Sequence, residues 1–99
     1  MQTKILRVIS RKAIVEFAKT HADSLPPLTS WYATVTEASW TNFAELRADF
    51  PSADQLGRRT VFNIGGNKYR LISRVNYRFQ KVYVLAILTH AKYDEGRWK

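Results

Sequence analysis

Residues 59–75, RTVFNIGGNKYRLISRV, decide the fold of this 99-residue chain. On both sides of Gly65–Gly66 the side chains follow a period of two, which is typical of strands with one buried face. Adjacent glycines readily adopt the positive φ angles of a tight hairpin turn. The stretch therefore predicts two antiparallel strands, Arg59–Ile64 and Lys68–Val75, joined at Gly65–Gly66.

Strand patterns also occur at both ends of the chain. Lys4–Ile9 predicts a short first strand, and Lys81–Leu88 predicts the last strand after a loop at Asn76–Gln80. The middle of the chain has helical periodicity instead. Ser10 and Ser24 are predicted to cap the first two helices.

The second predicted helix has Pro26 and Pro27 in its first turn, and a third short helix ends before Pro51. The order β-α-α-(α)-β-β-β predicts an α+β fold with a small, antiparallel-dominated sheet and helices packed on one face. We expect residues 1–99 to form a single domain.

Charge is the strongest signal in the composition. Sixteen Lys and Arg against eight Asp and Glu give a formal net charge of +8 and a sequence pI near 10.1. Such a domain attracts polyanions, because phosphate contacts release counterions. Nucleic acid or the ribosome is the expected partner; a membrane is not, since the basic residues fall on a predicted sheet and not on an amphipathic helix.

Several classes of protein are disfavoured by what the sequence lacks. It has no cysteine and two histidines, so we expect no disulfide, no metal site and no cofactor. It has no signal-peptide pattern and no run of about 20 apolar residues that could span a bilayer. The expected location is the cytoplasm.

The strand after the glycines is the first candidate site. Alternation places Tyr69, Leu71, Ser73 and Val75 toward the helices and Lys68, Arg70 and Arg74 on the other face. Cations repeating about every 6.6 Å for each pair of residues could straddle successive phosphates of a single strand. The alternative is an ordinary solvated face of a one-sided sheet.

The segment Thr89–Asp94 is the second candidate. Metal-free RNA cleavage needs a base for the ribose 2′-OH, an acid for the 5′-oxygen and cations for the transition state. His90, Tyr93, Lys92 and the strand arginine Arg70 are predicted to supply them. The alternative is a C-terminal turn in which His90 and Asp94 hydrogen-bond locally.

Four further residues are singled out. Arg58 and Arg59 are either RNA or ribosome contacts or solvated charge, and Arg78 joins the predicted RNA-binding set. Trp98 belongs to no helical stripe or strand, and either folds back as a lid or stacks on another group.

A hairpin of the form Phe-Asn-x-Gly-Gly-Asn-x-x-Arg within Val61–Ile72, and a terminal Thr-His-x-x-Tyr-Asp within Leu88–Asp94, resemble the HigB family of type II toxin–antitoxin toxins. The likeness extends over essentially the whole chain. It implies a RelE-like fold and an mRNA interferase, usually acting in the ribosomal A site. It also implies a helix-turn-helix HigA antitoxin, and the toxin–antitoxin pair is expected to repress its own promoter. This chain would then contact operator DNA only indirectly, through that complex.

The resemblance carries five site residues over to this chain: Asn67, Arg70, His90, Tyr93 and Asp94. Of these, Asn67 and Asp94 are expected to contact RNA. The assignment of three further residues to the site depends on charge and geometry alone: Lys68, Arg74 and Lys92. Two rival hypotheses remain, namely an RNA- or ribosome-binding module that does not cut, and a structural partner whose basic groove receives an acidic antitoxin segment.

Overall fold

The computed structural model describes residues 6–98, so Lys4 and Ile5 of the predicted first strand lie outside the described part. The sheet has five strands in the order β1-β5-β4-β3-β2. Its strands are β1 (Arg7–Ile9), β2 (Asp54–Leu56), β3 (Arg59–Ile64), β4 (Tyr69–Asn76) and β5 (Lys81–Thr89). All neighbours pair antiparallel except β1 and β5, which are parallel. The predicted α+β class and antiparallel-dominated sheet are confirmed.

The helices of the described chain are α1 (Arg11–Thr20), α2 (Leu25–Glu37), α3 (Phe43–Asp49) and α4 (His90–Glu95), with a 3₁₀ turn at Ala22–Ser24. The first three match the predicted helices, and α3 ends before Pro51. Neither α4 nor the short strand β2 was predicted. Among residues 6–98, no helix is both long and apolar enough to cross a membrane.

The sheet has one face that packs against α1–α3 and one that does not. Strand pairing joins Phe62 to Leu71 and Ile64 to Tyr69, and these side chains belong to the core. Helices α1–α3 contribute Ile14, Leu28, Trp31, Val35 and Leu46 to the same core. The second face, which we call the open face, carries the residues that alternate with these core positions.

The hairpin between β3 and β4 is one residue longer at its turn than predicted. Ile64 pairs with Tyr69, so the turn spans residues 65–68 and includes Lys68. Both glycines have positive φ, 63° at Gly65 and 68° at Gly66. The turn predicted at Gly65–Gly66 is therefore confirmed, but β4 begins one residue later than predicted.

Ser10 and Ser24 do not cap their helices with side-chain hydrogen bonds, so these two predicted caps are wrong. Ser10 and Ser24 precede α1 and α2 as expected, but neither side chain bonds the helix that follows. Ser10 is in the left-handed region with φ of 73°, and the Ser24 hydroxyl donates back to the His21 carbonyl at 2.6 Å. The side chain that caps α3 belongs to Asn42, which accepts from the Glu45 amide.

Gln80 fastens the β4–β5 turn to the helical layer. Its side chain is buried, donates from Nε2 to the carbonyls of Trp40 and Tyr77 at 2.6 Å each, and accepts from the Trp40 amide at 3.2 Å. One amide side chain therefore satisfies both backbone groups of Trp40, which is 40 residues away in sequence, and the carbonyl of Tyr77 in its own turn.

A β-bulge interrupts the pairing of β4 and β5. Ile72 pairs with Ala86 whereas Ser73 pairs with Val84, so Leu85 is an extra residue without a partner. A bulge breaks strict alternation and re-aims a side chain. Leu85 is 49% exposed and projects into a cavity on the open face, beside Arg59 and Arg74.

Candidate functional site

Five arginines are gathered on the open face or at its margins. Arg59 lies on β3, and Arg70 and Arg74 lie on β4 at positions that alternate with core residues. Arg58 occupies the β2–β3 turn and Arg78 the β4–β5 turn. We call this set, Arg58, Arg59, Arg70, Arg74 and Arg78, the arginine face.

An open groove runs along part of this face. Its volume is about 840 Å³, and Arg58, Arg74 and Arg78 all contribute to its lining, together with Tyr83 and Leu85. Three of the predicted RNA-binding residues therefore border one groove, although they come from two turns and a strand. Sequence reasoning predicted Arg58 and Arg78 as contacts but had no means of placing them together.

None of these arginines is neutralised by an acidic side chain in the described part of the chain. The ion pairs of residues 6–98 involve Lys19, Lys68, His90, Lys92 and Arg97 instead. A row of guanidinium groups without carboxylate partners is a strong anion-binding surface, because Arg matches phosphate geometry with paired N–H donors.

Lys68 is not part of this face, contrary to the prediction that it shares a side with Arg70 and Arg74. Its Nζ lies 2.6 Å from Oδ2 of Asp23, in the 3₁₀ turn of the helical layer. The Tyr69 hydroxyl donates to the other oxygen of Asp23 at 2.5 Å. Because Lys68 is in the turn and not in β4, strand alternation does not govern its direction.

Arg70 is the most enclosed of the five arginines, with 8% of its surface exposed. Its Nη2 donates to Oδ1 of Asn67 at 2.6 Å, and its Nη1 donates to the backbone carbonyls of Asn67 and Tyr69 at 3.3 Å. The guanidinium lies 5.4 Å from the centre of the Tyr93 ring. Asn67 and Tyr93 thus fix the guanidinium of Arg70 in place without neutralising its charge.

Tyr93 connects α4 to the open face. Burial raises the pKa of its hydroxyl above the usual 10, and the negative charge of Asp54 on β2 adds to this effect, while Arg70 opposes it. The phenol therefore stays protonated at neutral pH. Its ring stacks on Trp98 with centres 4.8 Å apart and planes within 17°.

Trp98 folds back over the open face, which answers the question that its sequence position raised. Its indole Nε1 donates to the Tyr93 carbonyl at 2.8 Å, and its own carbonyl accepts from Arg59. The last described residue is therefore tied both to α4 and to the arginine face.

The predicted group in α4 is only partly assembled. The Nε2 atom of His90 lies 3.3 Å from Oδ2 of Asp94, and helix geometry makes Tyr93 its other neighbour. Lys92 is rotated about 160° from His90 at 100° per residue, and its ammonium is 3.9 Å from Glu95. The structure brings His90, Tyr93 and Asp94 together but leaves Lys92 on the opposite side of the helix.

A small α+β protein with a cationic sheet face and a His- and Tyr-bearing terminal helix has the form of a RelE-like toxin. Residues 25–96 match the family model described as HigB_toxin, the RelE-like toxic component of a toxin–antitoxin system. The chain therefore belongs to the HigB toxin family.

Relatives of similar length agree with this assignment. The mRNA interferase toxin HigB of Escherichia coli strain K12 is 30% identical over 92 residues, covering 90% of this chain and 88% of the relative. The mRNA interferase HigB of Shigella flexneri has the same identity and coverage. The mRNA interferase HigB of E. coli O6:H1 is 29% identical over 93 residues, which is 91% of this chain and 90% of the relative.

Proposed function

We propose that this chain acts as a single-domain mRNA interferase in the cytoplasm, an endoribonuclease that stops translation until an antitoxin neutralises it. Family membership and the names of the relatives support the reaction class. The arginine face supports the substrate class, since five guanidinium groups without carboxylate partners in residues 6–98 favour a polyanion.

The observation that carries the proposal is the position of Arg70 beneath Tyr93. Arg70 is nearly enclosed, held by Asn67, and has no acidic partner among the described residues. A cation fixed in this way can neutralise the charge that develops on a phosphate in the transition state without reorganising. Arg74 on the same strand face would hold the neighbouring phosphate.

His90 and Tyr93 divide the proton transfers in the proposed mechanism. A carboxylate beside Nε2 favours the His90 tautomer with its proton there, which leaves Nδ1 to accept the proton of the ribose 2′-OH. The 2′-oxygen then attacks the adjacent phosphorus, and the bond to the 5′-oxygen breaks. Tyr93, which its raised pKa keeps protonated, gives its proton to that leaving oxygen. The product is a 2′,3′-cyclic phosphate.

In this scheme Asp94 orients His90, and its predicted RNA contact becomes secondary. Asn67 orients Arg70 in the same sense and also remains close enough to the guanidinium to share a phosphate oxygen with it. Lys68 and Lys92 have the weakest support, because each is engaged by an acidic residue away from Arg70.

The proposed partners are an mRNA held on the ribosome and a helix-turn-helix antitoxin of the HigA kind. Contact with operator DNA would then be indirect, through the antitoxin. Membership in a toxin–antitoxin family supports an antitoxin partner, and the net charge of +8 suits ribosomal RNA and acidic protein segments alike.

The test is to induce wild type, Arg70→Ala and His90→Ala in cells and to map the 5′ ends of messages. We expect new ends and growth arrest with wild type and with the control Lys12→Ala, and neither with Arg70→Ala nor with His90→Ala. Lys12→Ala, an exposed change on α1, is the control. Each protein must have the wild-type circular dichroism spectrum. If both variants cut like wild type, the site assignment is wrong; growth arrest without new ends would favour an RNA-binding module that does not cut.

A further inference from the structure

An open cavity of about 820 Å³ lies next to Trp98 on the open face. It is separate from the contacts of Arg70 and is lined by Leu56, Gly57, Arg58, Arg59, Arg74, Leu85 and Trp98. The lining combines one indole ring, two leucines and three arginines. Such a cavity is large enough for a nucleotide, which occupies less than the volume of typical small-ligand pockets.

The two leucines give the cavity apolar lining from side chains that the core does not use. Leu56 is 41% exposed and Leu85 is 49% exposed, whereas the core leucines at positions 28, 46 and 71 are completely buried. Leu85 reaches the cavity because it is the extra residue of the β5 bulge. Bulges commonly re-aim a side chain beside a functional site.

Trp98 has a fixed orientation at the edge of the cavity. Its ring stacks on Tyr93, its Nε1 is bonded to the Tyr93 carbonyl, and its carbonyl is bonded to Arg59. An aromatic ring held in one orientation is a suitable stacking surface, since little side-chain entropy is lost when a flat ligand binds. Tyr93 in turn covers Arg70, so the cavity adjoins the proposed cleavage site.

We propose that this cavity is a nucleobase subsite that holds a base flanking the cleaved phosphodiester. The base lies against Trp98 beside Leu56 and Leu85. Arg70 holds the cleaved phosphate on one side of this nucleotide, while Arg59 and Arg74 bind the phosphate on its other side. Stacking on an aromatic ring beside arginines is the usual way in which proteins hold single-stranded RNA. This inference rests on the proposed function and adds to it a contact that helps choose where the message is cut.

An apolar peptide would be a less suitable occupant. Three arginines line the cavity together with the leucines, and none of their guanidinium groups has a carboxylate partner in residues 6–98. The cavity lining combines apolar side chains, which suit the base of a nucleotide, with arginines, which suit its phosphate.

The test uses a single-stranded RNA analogue with 2′-O-methyl groups, which cannot be cut by 2′-OH attack. Wild type, Trp98→Ala and Trp98→Phe are titrated with this oligonucleotide and with copies that are abasic at one position. Base–aromatic stacking is worth about 1–3 kcal/mol per base. We therefore expect Trp98→Ala to bind roughly 5- to 150-fold more weakly and Trp98→Phe to retain most of the affinity.

The abasic copies show whether Trp98 and one base interact. At one position, loss of the base should weaken wild type as much as Trp98→Ala does, and should weaken Trp98→Ala little further. If the abasic change and Trp98→Ala lower the binding free energy by independent, additive amounts at every position, Trp98 does not stack on a base. Trp31 and Trp40 are buried, at 2% and 1% exposure, so a change in accessible tryptophan emission reports chiefly on Trp98.

Changes at Trp98 can also disturb the packing of the C-terminus, so a second pair of variants tests the cavity without altering Trp98. Leu85→Asp places a carboxylate in the cavity, and Val15→Asp on α1 is its control, since the two residues are 49% and 47% exposed. We expect only Leu85→Asp to weaken binding and to alter the cleavage positions.

The outcomes separate this inference from the proposed function. If wild type cuts RNA but neither Trp98→Ala nor Leu85→Asp changes affinity or cleavage positions, the subsite proposal is wrong and the proposed nuclease function is retained. If induction of wild type in cells produces no new 5′ ends and the purified protein does not bind the RNA analogue, both proposals fail.

Discussion

The guanidinium of Arg70 lies 5.4 Å from the centre of the Tyr93 ring, so one residue of β4 and one of α4 form a cation–π contact across the open face. This contact joins the two segments that the sequence singled out separately. It also explains how an arginine on the uncovered side of a sheet comes to be 8% exposed.

Removing the Tyr93 ring should lower both stability and activity. Tyr93→Ala loses the contact with Arg70 and the stacking on Trp98, and we expect a decrease of about 1–2 kcal/mol in the free energy of unfolding, measured by urea denaturation. Tyr93→Phe keeps both rings in contact and should be nearly as stable as wild type. Its cleavage rate should nevertheless fall by about 100-fold or more, because it has no proton to donate. Wild-type cleavage by Tyr93→Phe would exclude the hydroxyl as the acid.

Arg74→Ala should weaken RNA binding in a salt-dependent way. If Arg74 binds a phosphate, its loss reduces the slope of log affinity against log salt concentration by about one. Anisotropy titrations of a labelled single-stranded RNA at several salt concentrations measure this slope. Arg47→Ala removes an equal charge from α3, on the other side of the sheet, and should leave the slope closer to that of wild type. Equal slopes for the two variants would mean that only net charge matters.

Gln80→Ala should be among the most destabilising polar changes in the chain. It leaves the amide and carbonyl of Trp40 and the carbonyl of Tyr77 without their partner in a buried place. We expect a loss of about 2–4 kcal/mol in thermal or urea unfolding, since each unsatisfied buried group costs about 1–3 kcal/mol. Gln55→Ala on the exposed strand β2 is the control and should change stability by less than about 0.5 kcal/mol. A small effect at Gln80 would show that water replaces its side chain.

The contacts of Asp23 predict a stability difference that depends on pH. The hydrogen bond from Lys68 holds the pKa of Asp23 below its usual 3.8, and the hydrogen bond from Tyr69 acts in the same direction. Asp23 in turn raises the pKa of Lys68 above 10.5 and of Tyr69 above 10.0. The contribution of Asp23 is therefore present above pH 3.8 and lost as pH falls through its lowered pKa. The contributions of Lys68 and Tyr69 are present below pH 10 and lost as pH rises through their raised values.

Comparison of wild type with Asp23→Asn checks this dependence. The difference in urea midpoint should be constant between about pH 5 and pH 9 and should shrink in stronger acid and in stronger alkali. Since the side chains of Asp23 and Lys68 are exposed, the difference will be small and reduced by salt. A difference that did not vary with pH would show that the carboxylate charge contributes nothing.

The sequence predicted the parts of the fold whose residues alternate or recur regularly. The β3–β4 hairpin was found because Gly65 and Gly66 separate two alternating runs, and α2 because its buried residues follow helical spacing. Strand β2 escaped prediction because all three of its residues are exposed, so it has no apolar pattern. Helix α4 also has no buried residue, although Thr89 and Gly96 mark its two ends.

The candidate site was less predictable than the fold. Alternation placed Arg70 and Arg74 on the correct face, but the burial of Arg70 depends on Tyr93, which lies on another element. Lys68 was placed wrongly because a shift of one residue at the turn releases a side chain from the strand's alternation. Trp98 was noticed only as an unexplained residue, and only the folded chain shows that it packs on Tyr93.

The bulge at Leu85 separates the requirements of the fold from those of the proposed base subsite. Val84 and Ala86 keep their ladder partners, and the side chain between them is not needed to maintain the register of β4 and β5. Mutations at this one position can therefore be accepted without repacking the interior. If the proposed base subsite is correct, a substitution at residue 85 would change where RNA is cut and leave the fold unchanged.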